Sequence, residues 1–369
     1  MGALSFVILG LSITSSWGNG HATTYRSLAR ELRGRDHEIV FLERDVPWYA
    51  ANRDMPEPPF ARACLYHGVA DLKRRFTGIV RTADVVIVGS FVPDGHAVAE
   101  WVLDTAGGVT AFYDIDTPET VAALERGTCA YLSADLVPAF DLYLSFTGGP
   151  LLRRLEHEFG ARMARPLYCS VDPDLYYPAK APLRWDLGYL GTYSADRQPK
   201  LARLLIEPAR TRPSARFVVA GPQYPDDIAW PRNVARITHL APNRHRRFFN
   251  AQRFTLNITR ANMVRAGWSP SVRLFEAAAC GSVIISDWWE GLDSLFAPGK
   301  EILVAQTARE IMDMLDIGEA ERRRIGQAAR ARFLLCHTAR HRAQELERYV
   351  REAGSQLRPS HAAAMRAQA

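Results

Sequence analysis

A chain of 369 residues, 47% hydrophobic and 23% charged, is too long for one ordinary core and has the composition of a soluble protein of two domains. Its net charge of +6 allows anionic ligands or peripheral contact with an acidic membrane surface, demands no nucleic acid, and is accompanied by no zinc-finger or nucleic-acid motif. The five cysteines, Cys64, Cys129, Cys169, Cys280 and Cys336, are scattered without a C-x-x-C, which fits reduced thiols in a cytoplasm and argues against a disulfide framework or a metal site.

In chain order, residues 3–13 are apolar enough to pass for a signal core. No Lys or Arg precedes them, no small-x-small cleavage site follows, and they are too short to span a bilayer. They read instead as a first buried strand over 4–12. The loop Ser16-Trp17-Gly18-Asn19-Gly20-His21 leads into a helix in which Tyr25, Leu28, Ala29 and Leu32 recur at helical spacing until Gly34. A second strand spans 37–43. Strand, glycine turn, helix, strand opens a doubly wound parallel sheet. Glu43 would suit a dinucleotide ribose, yet Gly18-x-Gly20 lacks the third glycine of that fingerprint.

Residues 45–60, with Pro47-Trp48-Tyr49, form a long surface loop, either an acceptor contact or a plain connection. Buried strands follow at 84–89 and 109–113, with a helical pattern at 98–103. The second of these strands ends in Asp114-Ile115-Asp116-Thr117-Pro118, where a helix begins. Open α/β sheets bind ligands at the carboxyl ends of their strands. Asp114 and Asp116 there either position an acceptor hydroxyl and take its proton, or merely cap the helix. One more strand at 142–146 and a helix at 151–159 complete the first half. The proline-rich stretch from Pro166 to Pro178 marks a boundary near Leu175.

The second half repeats the plan. Strands fall at 187–191, 215–221, 234–240, 254–258, 283–285 and 301–305, with helices between and after them. Residues 242–251 are helical and carry Arg244, Arg246 and Arg247 beside Phe248-Phe249. That run is a solvated face over two core rings, or a patch for a membrane or an anionic acceptor. The most informative stretch is Gly267-Trp268-Ser269-Pro270-Ser271-Val272-Arg273-Leu274-Phe275-Glu276-Ala277-Ala278-Ala279-Cys280-Gly281. It reads as a loop, a short helix capped by Ser269 with Pro270 in its first turn, and a glycine stop. Ser269, Arg273 and Glu276 share one face of an otherwise apolar helix. Free N–H groups at its start suit a phosphate, Arg273 adds a cationic fork, and Glu276 could accept from ribose hydroxyls. The plainer alternative is an Arg273–Glu276 surface pair.

These features resemble a GT-B-fold glycosyltransferase, an α/β protein of two Rossmann-like domains facing across a cleft. More narrowly they resemble the bacterial CgeB-like, spore-coat-maturation enzymes related to the family-4-like retaining group. The helix at 269–281, the linker Val171-Asp172-Pro173-Asp174 through Pro178, and the loop Ser16 to His21 carry the likeness, which extends to about Glu352. It implies an N-terminal acceptor domain over 1–174, a nucleotide-sugar domain over 175–337 and a helix at 338–353 crossing back to the first domain; the polar, Ala-rich tail at 354–369 reads from its own composition as frayed.

The resemblance also implies roles. Glu276 would hold the ribose of a nucleotide diphosphate sugar. Ser269 and Ser271 with the helix start would meet the diphosphate, and Arg197 and Lys200 would neutralise it on departure. Arg260 and Asn262 would face the same pocket, and Gly18, Asn19 and Gly20 would form the first glycine-rich loop. His21 resembles the general base of some inverting GT-B enzymes. Retaining relatives often carry E-x7-E; here the position eight before Glu276 is Trp268, which leaves the sugar open. The expected function is metal-independent transfer of a sugar from a nucleotide diphosphate sugar, with retention on family resemblance alone. No cofactor beyond that donor is expected, and the acceptor, whether glycan, protein or lipid-linked, is not named by the sequence. The rivals are a two-lobed ligand-binding protein, a GT-B-type sugar-nucleotide epimerase and a nicotinamide oxidoreductase.

Overall fold

A computed structural model describes residues 2–18 and 20–367, with side chains through Gln356. The expectation for Asn19 therefore lies outside the described residues. The chain divides into two compact units, one of residues 1–168 with 339–369 and one of residues 169–338.

The first unit holds seven parallel strands: β1 Ser5–Gly10, β2 Glu38–Arg44, β3 Arg62–Tyr66, β4 Val85–Gly89, β5 Val109–Asp114, β6 Leu142–Ser145 and β7 Ala164–Pro166, in the order β3-β2-β1-β4-β5-β6-β7. The central strands β4 and β5 are buried at every residue, which is why they read as unbroken apolar runs rather than alternating ones. The second unit holds β8 Trp185–Leu190, β9 Phe217–Ala220, β10 Val234–Ile237, β11 Gln252–Asn257, β12 Val283–Ser286 and β13 Leu303–Val304, in the order β10-β9-β8-β11-β12-β13. Both sheets thus repeat the 3-2-1-4-5-6 winding of a Rossmann unit. In the second unit Leu187, Tyr189, Phe217, Val219, Phe254, Leu256 and Ile285 fill one contiguous core.

Several expectations are corrected. Residues 45–60 are not a bare loop: Pro47–Ala50 is a helical turn, and Met55 N–H donates to the Thr14 carbonyl at 3.0 Å. The strand Arg62–Tyr66 and the helix Val69–Thr82 were not anticipated, although Leu72, Phe76 and Val80, buried four residues apart, mark the helix. The boundary falls at Cys169, because Val171 bridges to Thr338 inside the second unit.

The last helix, Ala339–Ala367, belongs to the first unit and is helical beyond residue 354. It buries Ala343, Leu346, Tyr349, Val350 and Ala353. Glu347 fixes it to the turn that leads into β2. Its carboxylate takes a fork from Arg35, with contacts of 2.5 and 2.8 Å, and an N–H from His37 Nε2 at 2.8 Å. His37 Nδ1 in turn accepts the Leu4 N–H at 3.0 Å, which leaves Nε2–H as the donor to Glu347.

The helix of the 267–281 stretch ends as expected. Gly281 is left-handed at φ +68°, with its N–H on the Ala278 carbonyl and the Ser282 N–H on that of Ala277, a Schellman closure. Its start differs. The helix is Val272–Ala279 with Ser271, not Ser269, at the N-cap. Gly267 and Trp268 are both at positive φ, the Trp268 N–H donates to the Glu290 carbonyl, and the Ser269 hydroxyl donates to the Gly267 carbonyl at 2.7 Å. The turn completes itself, and the helix begins only after Pro270.

Candidate functional site

In the second unit the carboxyl ends of β8, β11 and β12 are stitched together by polar side chains. Arg273 is buried; its Nε donates to the Leu190 carbonyl at the end of β8, and Nη1 reaches Asn257 Oδ1 at the end of β11 at 2.8 Å. The guanidinium lies 4.9 Å from the Tyr189 ring centroid. Burial lowers its pKa from the usual arginine value. Gly191 is glycine for lack of room: a Cβ there would come within 2.9 Å of Arg273 Nη2. Ser271 Oγ donates to the same Asn257 oxygen at 2.9 Å rather than capping its helix.

Glu276 is 2% exposed and does not pair with Arg273. Its Oε1 accepts from the Tyr176 hydroxyl at 2.9 Å and lies 3.1 Å from His245 Nδ1, while Oε2 takes no hydrogen bond from the described residues. Burial alone would raise its pKa; His245, Tyr176 and Arg273 outweigh burial and hold it below the usual value. The surface-pair alternative is thereby discarded. Tyr176 and His245 had escaped the sequence reading, one inside the proline-rich linker and the other between arginines that drew attention to charge. Nothing in their own spacing marked them.

The expected cations differ in freedom. Lys200 Nζ is spoken for by Asp287 Oδ2 at 2.5 Å, and Asp287 also accepts from Thr259 N–H and Oγ1. Burial raises the Asp287 pKa against these partners. Arg197 Nη2 donates to the Thr192 carbonyl at 2.7 Å, but its buried Nε has no partner among the described residues. Arg260 occupies the N-cap position of the Ala261–Ala266 helix without a side-chain capping bond, and the first N–H of that helix is held by Asp196 at 2.8 Å. Asn262 turns its Oδ1 to Arg265 of that same helix. Ser269 is fully buried with its hydroxyl inside its own turn, so its side chain is not presented to a phosphate.

In the first unit Gly18 sits at φ +59° and Gly20 precedes the helix His21–Arg33. Glu43 is fully buried and accepts the N–H groups of Ile13 and Thr14 and the Thr14 hydroxyl. It shapes the loop from beneath and offers nothing to a ribose. Asp54 adds a second tie, to Ser16 and, as a fork, to Arg26.

His21 is buried, with Nε2 3.4 Å from Asp116 Oδ2 and its ring edge-on to Phe91 at 5.7 Å. Phe91 holds an unusual left-handed φ of +61°. Asp116 makes no side-chain capping bond to the Thr117–Glu125 helix. Asp114 is different. It has no exposed surface, and it accepts from Tyr143 at 2.7 Å, Thr120 at 2.8 Å and the Asp116 N–H at 3.1 Å. Burial pushes its pKa up to about 6. The structure therefore separates the two carboxylates: Asp116 faces His21, while Asp114 supports the turn from within.

Residues 197–348 match the family model described as glycosyl transferase-like. No curated protein sequence matches the chain. Anabaena HepE, solved with UDP and glucose, is 12% identical and superposes with a TM-score of 0.70 over 95% of this chain and 100% of that one. An alpha-glucosyltransferase with UDP and a 13-mer DNA gives 13% identity and a TM-score of 0.71 over 95% and 100%. Sucrose-phosphate synthase from Thermosynechococcus elongatus gives 13% identity and 0.64 over 95% and 98%. The chain has the GT-B fold of two Rossmann-like units. Within it, residues 197–348 form the glycosyl transferase-like segment.

Proposed function

We propose that the protein transfers a sugar from a UDP-linked donor to a hydroxyl-bearing acceptor. The observation that carries this reading is Glu276: a buried carboxylate with one oxygen fixed by Tyr176 and His245 and the other uncommitted, on the second turn of the Val272–Ala279 helix. Such an oxygen suits the paired hydroxyls of a ribose. The N–H groups at the start of the Val272–Ala279 helix and the Arg197 guanidinium meet the diphosphate, with no metal required. Lys200 contributes less than the sequence suggested, because Asp287 already offsets its charge. The choice of uridine follows the relatives solved with UDP, and the narrower CgeB-like kinship rests on the sequence motifs.

Retention of anomeric configuration is the reading from family resemblance. One observation favours inversion: the His21–Asp116 contact is what a general base with an orienting carboxylate needs to deprotonate an acceptor. The acceptor stays in the first unit on either reading. Nucleic acid, not expected from the sequence, belongs in the acceptor panel, since the alpha-glucosyltransferase was solved with DNA. No described helix is long and apolar enough to cross a membrane.

The test is a thermal-shift panel of UDP-glucose, GDP-mannose and NAD, followed by proton NMR of the products with glycan, lipid and DNA acceptors. Stabilisation by a UDP-sugar and a new glycoside are expected, and the anomeric coupling constant assigns the stereochemistry. Stabilisation by NAD alone overturns the proposal, as does an epimerised sugar nucleotide or ligand binding without turnover.

A further inference from the structure

We propose that His245 carries a second ring proton and, as an imidazolium, is the positioning residue that fixes Glu276 for its ligand; the ligand half of this statement rests on the donor reading above. His245 lies on the helix Pro242–Asn250 with 14% of its side chain exposed. Its Nε2 is 3.1 Å from the Leu240 carbonyl oxygen and its Nδ1 3.1 Å from Glu276 Oε1. A carbonyl oxygen only accepts, and so does a carboxylate. A neutral imidazole has one donor nitrogen and one acceptor nitrogen. Either neutral tautomer therefore aims a nitrogen lone pair at an oxygen lone pair in a site shielded from water.

Two arrangements satisfy both contacts: an imidazolium beside a carboxylate, or a neutral ring beside a protonated Glu276. Each holds one proton more than neutral histidine and ionised glutamate. The surroundings choose the first. The Tyr176 hydroxyl donates to the same Oε1 at 2.9 Å, and Arg273 lies one turn earlier on the glutamate's helix, so the negative charge stays on Glu276. Burial and, less strongly, the Arg273 charge oppose the charge on His245, but the charge of Glu276 and the hydrogen bonds to Glu276 and Leu240 raise its pKa above the usual histidine value. The remaining titratable neighbours do not compete. Cys280 is buried with its thiol pushed up and neutral, Arg246 acts on Cys280 while lying 4.2 Å from the Tyr177 ring, and Arg330 acts on Cys280 from the Glu319–Cys336 helix.

The consequence is orientation. With Oε1 held from two sides, the carboxylate plane is fixed and Oε2 is presented in one direction. A folded-state pKa raised above the ordinary value means that the contribution is complete at low pH and is lost as pH rises through that pKa. Once one ring proton leaves, one of the two contacts, to Leu240 or to Glu276, becomes a lone-pair repulsion, and the ring no longer holds the carboxylate from a fixed position.

The direct measurement is the side-chain 15N spectrum of histidines in the full chain from pH 6 to 9.5, with His245 assigned through His245→Asn. The expected result is an imidazolium with both nitrogens protonated at pH 7, titrating above the ordinary histidine range. In parallel, UDP binding by calorimetry should weaken about tenfold as pH rises through the same midpoint, with that step absent in His245→Asn. A neutral His245 at pH 7, or a UDP affinity with the same pH step in wild type and variant, overturns the proposal. Failure of the donor reading shows separately, as no UDP binding by the wild-type chain at any pH, and His245 is then judged on its nitrogen shifts alone.

Discussion

The two units share a strand order and differ in how their carboxyl edges are finished. In the second unit Arg273, Asn257, Lys200, Asp287, Tyr176, His245 and Glu276 tie one strand end to another through buried hydrogen bonds. In the first unit the buried bonds lie one layer deeper, at Glu43 and Asp114, and the groups at the edge, His21 and Asp116, touch at only 3.4 Å. The contrast teaches that one winding can serve two purposes. A preformed polar lattice suits a ligand of fixed shape, such as a nucleotide. A firm underlayer with a loosely joined acid–base pair suits a reacting hydroxyl, whose proton must move.

The sharpest way to break this comparison is at the loose pair. His21→Ala should lower the transfer rate by about 10²- to 10⁴-fold, the range for a lost general base, while UDP binding stays unchanged. Equal loss of both would mean that the residue holds the fold rather than the proton.

The underlayer is testable through pH. Asp114 has a pKa of about 6 against an ordinary 3.8, so the folded state keeps a proton that the unfolded state gives up. Rising pH between those values should cost the first unit roughly 3 kcal/mol relative to Asp114→Asn, read as the difference in urea midpoints at pH 4 and pH 7. A difference that does not change with pH would remove Asp114 from the underlayer. Glu347 has the opposite sign. Its pKa is held down to about 2, with the Arg35 hydrogen bond leading, so its contribution is present above the ordinary glutamate range and fades as pH falls through the folded value. Glu347→Gln should destabilise the protein by about 2 kcal/mol at pH 7 and by little near pH 2, where the folded-state carboxylate is half protonated. The smallest expected effect is at Gly281, where an alanine at φ +68° should cost about 1 kcal/mol without altering the donor's affinity once bound.

Much of the architecture was readable because β4, β5 and β12 are unbroken apolar runs and because Gly281 can take a conformation other residues avoid. The Val69–Thr82 helix slipped by because its apolar positions are diluted by five charged residues, Asp71, Lys73, Arg74, Arg75 and Arg81. At the site, residue type was legible and partnership was not. Arg273 and Glu276 stand three apart, which invites an ion pair, yet each turns to residues distant in sequence: Leu190 and Asn257 for one, Tyr176 and His245 for the other. Ser269 was misread because a serine before a proline looks like a cap, whereas the turn that Gly267 permits consumes its hydroxyl locally. Asp114 and Asp116 look alike in sequence, and only burial separates them.

The central claim is that the uncommitted oxygen of Glu276 grips ribose hydroxyls, and a two-by-two calorimetric cycle addresses it directly. UDP and 2′,3′-dideoxy-UDP are each titrated into the wild-type chain and into Glu276→Gln. The expected result is that removing the hydroxyls weakens binding about tenfold or more in the wild type and has little effect in the variant, a coupling of at least about 1 kcal/mol. An equal loss in both proteins would place the ribose elsewhere and contradict the claim.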